Sequence, residues 1–292
     1  MQLVNRTAVI VGCGGLGSNL AHILARRSFE VNYGIRNFGM DFVKDFLRDY
    51  RSVRDTHNVN RGLSPVPDYF GFFNRFILVD HDTVEPKNLG RQLFFASQVG
   101  MNKAEALAQS LNALFPEGGG LASALDMEVS DPADVDFLTR MASATARDRT
   151  EGGLEVPHFF LMTDSHDSKK MIAQVLDINR PLIPYLIANC DGKSWEVKNH
   201  LDSSEVHARK VPGMAPVDLA AAHPNRYVAL QNSPVNLMAA QRTAYWYFAS
   251  HGLTSMPARF VESGDMSLPT PSLKLKFPGS APNPSDSDSD DE

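Results

Sequence analysis

A short apolar run followed directly by clustered glycines constrains this chain more than any other feature. Residues 7–11 read TAVIV, which predicts a buried strand, and residues 20–26 have the pattern of a helix. Between them, Gly12, Gly14 and Gly17 have the G-x-G-x-x-G spacing. A strand, a glycine turn and a helix in this order direct backbone amides and a helix N-terminus at a phosphate group. The pattern therefore predicts a Rossmann-like nucleotide-binding unit but does not specify the nucleotide.

The rest of the chain continues the alternation of strands and helices. We therefore predict an α/β fold with a doubly wound, mainly parallel sheet flanked by helices. About 45 residues separate the first helix from the next strand, far more than a usual connection, so an insertion is predicted at about residues 28–74. The predicted strands are 76–80, 158–162, 182–188 and 195–199, and the predicted helices are 102–115, 169–178 and 233–250. Residues 117–157 are not assigned.

Composition excludes several classes of protein. The formal net charge of −6 comes largely from the Ser- and Asp-rich end of the chain, so no basic surface for nucleic acid is expected. No apolar run approaches the roughly 20 residues of a membrane helix, and no signal peptide is apparent, so we expect a cytoplasmic protein without a membrane partner. Two cysteines, Cys13 and Cys190, are too few for a four-thiolate structural zinc site. Residues 264–292 are predicted to be a disordered tail after a single domain at 1–263.

Charged and amide residues beyond the second strand indicate a site for phosphates. Asp80, at the end of that strand, is placed to hold ribose hydroxyls. Asn88, Arg91 and Lys103 could donate to a triphosphate, which carries about four negative charges. Asp167 follows a later strand and could hold Mg²⁺ that bridges the phosphates.

These motifs leave three functions open. One is ATP-dependent activation of a carboxylate, which needs no general base because a C-terminal carboxyl group with a pKa of about 3.5 is already ionised. The second is an NAD- or FAD-dependent oxidoreductase with the same glycine turn. The third is a scaffold that keeps the fold without catalysis.

Four strings together resemble the ThiF, MoeB and ubiquitin-activating family of adenylating enzymes. They are G-x-G-G-L-G-S at 12–18, D-x-D-x-V…N-L-x-R-Q at 80–92, G-x-x-K at 100–103 and D-x-x-D at 164–167. The resemblance covers roughly residues 7–200. The N-L-G-R-Q string and the absence of zinc cysteines also resemble the ThiF-type proteins of plasmid PRTRC systems.

The resemblance implies ATP and Mg²⁺ as cofactors, transfer of AMP to the C-terminal Gly of a small ubiquitin-like β-grasp protein or to a peptide C-terminus, and a homodimer. Asp80 resembles the ribose ligand, Asp167 the magnesium ligand, and Gln92 a support for Arg91. The implied cofactor-binding residues are Gly12, Gly14, Gly15, Gly17, Asp80, Asp82, Asn88, Arg91, Gln92 and Lys103; the implied catalytic residues are Arg91, Lys103 and Asp167.

The chain also departs from the family pattern. An N-terminal extension that supplies an arginine to the partner subunit is expected to be absent, and Arg51 or Arg54 in the insertion could substitute for it. No cysteine lies in residues 202–232, where relatives carry one that accepts the activated group. Cys190 is either a displaced nucleophile or a structural thiol. We therefore favour adenylation without a thioester on this chain.

Overall fold

A computed structural model describes residues 2–30, 69–115, 121–144, 157–190, 194–200, 233–250, 259–265 and 272–276. Most of the predicted insertion, together with Arg51 and Arg54, lies outside these residues, as does the acidic end of the predicted tail.

Within the described residues, eight strands form one sheet in the order β3-β2-β1-β4-β5-β6-β7-β8. The pairs among β3, β2, β1, β4 and β5 are parallel, and β6, β7 and β8 follow with antiparallel pairing. The predicted α/β class with a mainly parallel sheet is therefore confirmed. The strands are β1 Gln2–Val11, β2 Tyr69–Val79, β3 Ala122–Leu125, β4 His158–Leu161, β5 Tyr185–Cys190, β6 Ser194–Lys198, β7 Arg259–Asp265 and β8 Ser272–Lys276.

Helices cover both faces of the sheet because alternate residues of the central strands point to opposite sides. On β1, Ala8 and Ile10 belong to one buried cluster, which includes residues of α1, α2 and α5. Val9 and Val11 belong to a second cluster with residues of α3 and α4. The helices are α1, described over 15–30, α2 Lys103–Asn112, α3 Pro132–Ala144, α4 His166–Asn179 and α5 Ser233–Ser250. Among the described helices, none has both the length and the apolar character needed to cross a bilayer.

The position of β1 determines where a ligand can enter. From β1 the chain proceeds outward to β2 and β3 on one side, and it then returns to place β4 on the other side of β1. Ligands of open parallel sheets bind at this point of reversal, outside the carboxyl ends of the two strands. The site is therefore expected above Val11 of β1 and Leu161 of β4, where the glycine turn begins.

Two expectations about the chain's organisation are corrected. Strand β8 lies inside residues 264–292, predicted to be a disordered tail, and β7, which ends at Asp265, crosses the predicted boundary between the domain and that tail. The physical reason is the sequence SLKLK, in which Leu273 and Leu275 alternate with lysines in the two-residue period of a strand that pairs with β7. In addition, β2 begins at Tyr69, so the final residues assigned to the insertion belong to the sheet.

Candidate functional site

The glycine turn is tightly held between the two central strands. Gly12 has a φ of +93°, which favours glycine, and its backbone N–H donates to the carbonyl of Val79 at 2.8 Å. A Cβ atom on Gly12 would lie 2.6 Å from Cα of Thr163, just beyond β4. A Cβ atom on Gly17 would overlap the carbonyl oxygen of Gly12. The turn therefore requires glycine at both positions for close packing.

Asp80 connects the end of β2 to this turn. Its Oδ2 accepts a hydrogen bond from the backbone N–H of Cys13 at 2.6 Å, and its Oδ1 accepts one from the backbone N–H of Asp82 at 2.9 Å. Burial raises the pKa of Asp80, while these two hydrogen bonds act in the opposite direction. The predicted ribose ligand thus lies at the glycine turn, where it also holds the turn in place.

Asp82 and Lys103 form an ion pair beside Asp80. Lys103 Nζ lies 2.7 Å from Asp82 Oδ2, and the Lys103 side chain is largely buried. This hydrogen bond holds the pKa of Asp82 below its ordinary value. Asn102 caps α2 through the backbone N–H groups of the next turn, and its side-chain amide donates to the carbonyl of Asp80 at 2.9 Å. The start of α2 therefore places a cation next to the predicted ribose ligand.

The segment from Asn88 to Leu93 packs against the glycine turn and α1. Asn88 is buried, and its Oδ1 accepts from the backbone N–H of Glu85 at 2.8 Å, so its NH₂ group is the part that could donate to a phosphate. The backbone N–H of Leu93 donates to Ser18 Oγ on α1 at 3.2 Å. Gln92 is buried and directs its Nε2 towards Gly14, 3.8 Å from where a Cβ atom on that glycine would lie.

Gln92 carries a buried acceptor atom for which the described residues supply no donor. Its Oε1 has no hydrogen-bond partner among the described residues. A buried acceptor without a partner costs free energy, so such atoms in native proteins need an explanation. A ligand with a hydrogen-bond donor over the glycine turn would satisfy it.

Asp164 and Asp167 lie at the carboxyl end of β4 and in the first turn of α4, and both are exposed. Because β1 and β4 pair in parallel, the glycine turn after β1 and Asp167 after β4 lie at the same edge of the sheet. Asp80 and Lys103 lie at this edge too. Hydrogen bonds join Asp80 to Asp82 and Asp82 to Lys103, whereas Asp167 is placed there by strand pairing alone.

One group of described residues satisfies the spacing for a metal ion, and Asp167 is not part of it. The ligand atoms of Asp80, His81 and Asp82 lie within 4.8 Å of one another. However, Asp80 accepts two backbone hydrogen bonds and Asp82 is paired with Lys103, so these carboxylates are already compensated. Mg²⁺ typically takes one or two carboxylates together with phosphates and water, a requirement that the exposed Asp167 fits.

A buried polar network next to this edge was not predicted from the sequence. Lys169 Nζ on α4 donates to the carbonyl of Ala188 at 2.8 Å and to Asn189 Oδ1 at 2.7 Å. Asn189 in turn donates to Glu196 Oε1 at 3.1 Å, which lies 3.2 Å from the buried Lys198. Burial lowers the pKa of Lys169 to about 8. A lysine on the apolar face of α4 was the signal that could have revealed this network.

Cys190 lies at the end of β5 and contacts α5. Its Sγ donates to Asn236 Oδ1 at 2.9 Å, and the residue is half-buried. Cys13 is fully buried within the turn, and burial raises the pKa of its thiol well above the ordinary value. Cys13 is therefore a packing residue in this structure.

The parallel sheet, the glycine turn at the strand reversal and Asp80 at the end of β2 define a protein of the Rossmann-like nucleotide-binding class. Residues 70–206 match the model of the ThiF family. Over this segment, the resemblance to the ThiF family predicted from the sequence is confirmed. No curated protein matches the chain in sequence.

Solved structures share the fold at low sequence identity. A structure of E. coli MccB with AMPCPP and MccA has a TM-score of 0.57 and 17% identity, and the match covers 93% of this chain and 64% of that one. A structure of PaaA has a TM-score of 0.55 and 15% identity, with 94% and 64% covered. The chain thus spans less than two thirds of the length of these proteins.

Proposed function

We propose that this protein binds ATP at the carboxyl ends of β1 and β4 and transfers AMP to a carboxylate. The observation that carries the proposal is the convergence of three segments on one glycine turn. Asp80 accepts a hydrogen bond from the turn, Lys103 pairs with Asp82 beside it, and Gln92 faces Gly14. All three segments lie in the part of the chain that matches the ThiF family.

Each segment has a role that its chemistry supports. The carboxylate of Asp80 would accept the ribose hydroxyls, while backbone amides of residues 12–17 and the N-terminus of α1 would face the phosphates. Lys103 and Arg91 would supply positive charge, and the amides of Asn88 and Gln92 would supply further donors. Lys103 would be shared between Asp82 and a phosphate, because an ammonium group carries three donors.

Asp167 is the residue proposed to hold Mg²⁺. When bound, the ion would neutralise phosphate charge and favour departure of pyrophosphate. The exposure of the Asp167 carboxylate at the β4 edge supports this role, since the ion must retain water and contact phosphate at the same time.

The proposed reaction requires alignment rather than proton removal. An oxygen of an ionised carboxylate attacks the α-phosphorus of ATP, forming an acyl–phosphate bond, and the bond from that phosphorus to the bridging oxygen of pyrophosphate breaks. The bonding electrons leave with pyrophosphate, so no proton has to move in this step. Arg91 and Lys103 would stabilise the charge that develops on the phosphate oxygens.

We further propose that the carboxylate is the C-terminus of a protein or peptide, with the terminal Gly of a ubiquitin-like protein as the first candidate, and that the chain acts as a homodimer. MccB, which has the same fold, is described in complex with MccA and with N-formylated MccA. That description supports a polypeptide as the type of substrate. The reaction requires only that the extended C-terminus reaches the α-phosphate.

The test combines nucleotide titration with pyrophosphate exchange. We expect the protein to bind Mg·ATP and not NAD, and to move label from pyrophosphate into ATP only when a suitable C-terminal carboxylate is added. Asp167→Ala should weaken Mg·ATP binding by about tenfold, because it removes a charged ligand, and should abolish exchange.

Lys87→Met is the matched control for this experiment. Lys87 is a half-exposed cation directly before Asn88, paired with Glu85 at 2.8 Å on the surface. Its removal should leave ATP affinity within about twofold, since exposed ion pairs contribute little. Tight binding of NAD would support the oxidoreductase, and unchanged ATP affinity in Asp167→Ala would refute the metal assignment.

A further inference from the structure

Asn236 connects α5 to the glycine turn, to the Arg91 segment and to the end of β5. It lies near the start of α5 and is buried. Its Oδ1 accepts from the thiol of Cys190 at 2.9 Å, and its Nδ2 donates to the carbonyl of Arg91 at 3.5 Å. The same amide group packs so closely on the glycine turn that a Cβ atom on Gly15 would overlap it.

The contacts use both halves of the side-chain amide. The oxygen accepts from a donor on β5, and the nitrogen donates towards an acceptor that belongs to the Arg91 segment. An aspartate would keep the shape and the acceptor but would lose the donor and add a negative charge. A leucine would fill a similar volume without either hydrogen bond. Asparagine is therefore the side chain that satisfies this position.

Asn236 also lies far from these residues in the sequence. Cys190 and Arg91 precede it by 46 and 145 positions. The backbone N–H of Leu93 already joins the Arg91 segment to Ser18 on α1, just beyond the glycine turn. Docking of α5 adds a second link, through one side chain, between the turn, the Arg91 segment and the end of β5.

We propose that Asn236 is a positioning residue that sets the glycine turn and Arg91 in the geometry required for nucleotide binding. This inference rests on the proposed ATP site. Asn236 acts through the backbone of its neighbours: it fixes the carbonyl of Arg91, and it limits how far Gly15 can move. The predicted consequence is a loss of ATP affinity that exceeds what a general loss of stability would cause.

Asn236→Asp is the principal variant, because it preserves size. The added carboxylate would face the carbonyl of Arg91 and repel it, and it would lie close to the region proposed for the phosphates. We expect Mg·ATP affinity, measured by isothermal titration calorimetry, to fall by about tenfold or more, as for the loss of a buried hydrogen bond with a newly unpaired acceptor.

Asn112→Asp is the matched control. Asn112 also uses both halves of its amide, since its Nδ2 donates to the carbonyl of Ala122 at 3.0 Å and its Oδ1 accepts from the N–H of Ala122 at 2.9 Å. It lies at the end of α2 and contacts the start of β3, whereas the glycine turn follows the carboxyl end of β1, at the other edge of the parallel strands. We expect a similar drop in melting temperature but an ATP affinity within about twofold of the wild type.

A second pair of variants tests the contact itself. Gly15→Ala alone should lower the melting temperature, because the new methyl group overlaps the Asn236 amide. Adding Asn236→Ala removes the overlapping atoms and should restore much of that loss. ATP affinity should remain low in the double variant, because the polar link is still missing.

The outcomes separate the two proposals. If the wild type fails to bind Mg·ATP, the proposed function is refuted and this inference falls with it. If the wild type binds ATP but Asn236→Asp and Asn112→Asp change its affinity equally, the site survives and the positioning role of Asn236 is refuted. Full recovery of ATP affinity in the Gly15→Ala/Asn236→Ala variant would also refute it.

Discussion

At the scale of single residues, Lys169 places an ionisable group where water is largely excluded. Its Nζ is held by the carbonyl of Ala188 and by Asn189. Burial lowers its pKa from 10.5 to about 8, although Cys190 and Asp164 act in the opposite direction. Between these pH values the unfolded chain keeps the proton on this lysine while the folded chain releases it.

Lys169 should therefore make the protein more stable as the pH rises through this window. The unfolded state binds more protons there, so the free energy of unfolding contributed by Lys169 increases with pH above about 8. Cys13 has a raised pKa and acts in the opposite direction above its ordinary value of 9.0. The informative quantity is the difference between the wild type and Lys169→Met, measured by urea unfolding from pH 7 to pH 9.

We expect the free energy of unfolding of the wild type, relative to that of Lys169→Met, to increase with pH. The wild type should gain stability relative to Lys169→Met as the pH rises above about 8, where Lys169 loses its proton in the folded state. Lys170→Met changes the neighbouring, half-buried lysine and should show no such trend. Parallel curves for the wild type and Lys169→Met would show that Lys169 stays charged in the folded protein.

At the scale of elements, the glycine turn contains positions with different requirements. A Cβ atom on Gly17 would overlap the Gly12 carbonyl, because α1 packs directly on the start of the turn. A Cβ atom on Gly14 would meet only Gln92 Nε2, at an ordinary contact distance of 3.8 Å. The two glycines of the motif therefore differ in role. The lack of a side chain at Gly17 allows α1 to pack on the turn, and the lack of one at Gly14 leaves space above the turn.

The two alanine substitutions should consequently separate folding from binding. Gly17→Ala should lower the free energy of unfolding by about 2 kcal/mol or more, as expected for overpacking. Gly14→Ala should change stability by less than about 1 kcal/mol and yet weaken ATP binding, because the methyl group would occupy the space proposed for phosphate. Equal effects of both variants on stability would contradict this division of roles. Thermal unfolding and ATP titration of the two proteins provide the measurement.

Elements with strong local signals were predictable from the sequence. The limits of α5 agree with the predicted helix at 233–250, because Ser233 and Pro234 suit a helix start. β3 was missed, since its sequence ASAL is short and lacks the large β-branched residues typical of buried strands. α3 was also missed, although Asp131 before Pro132 is a helix-start signal and Asp131 does cap the helix through the N–H groups of Ala133 and Asp134.

The site was predictable only where local motifs determine it. Asp80 follows the second strand, and strand pairing carries it to the glycine turn, so its placement follows from the α/β pattern. Asn236 contacts Arg91 across 145 positions, and no local pattern indicates such a contact. Asn88 was predicted as a phosphate ligand from its motif, but the motif does not reveal that its Oδ1 accepts the N–H of Glu85.

At the scale of the whole molecule, α5 joins the parallel and antiparallel parts of the sheet. It packs against β5 and β6, and it also reaches β7 through polar contacts. The buried carboxylate of Glu262 on β7 accepts hydrogen bonds from Arg242 and from Trp246 Nε1, both on α5. Asn236, near the start of the same helix, contacts the glycine turn. Contacts through α5 therefore link the antiparallel strands to the proposed nucleotide site.

Arg242→Met should reveal this connection. The change leaves the Glu262 carboxylate buried with Trp246 as its remaining partner on α5, and we expect a loss of about 2 kcal/mol in the free energy of unfolding. This is less than for a fully buried pair, since the Arg242 side chain is 31% exposed. Adding Glu262→Gln removes the unpaired charge and should recover part of the loss.

If α5 couples the parallel and antiparallel parts of the sheet, ATP affinity should decrease in Arg242→Met and return with stability in the double variant. An unchanged ATP affinity in a clearly destabilised Arg242→Met protein would show that the antiparallel strands and the nucleotide site are independent.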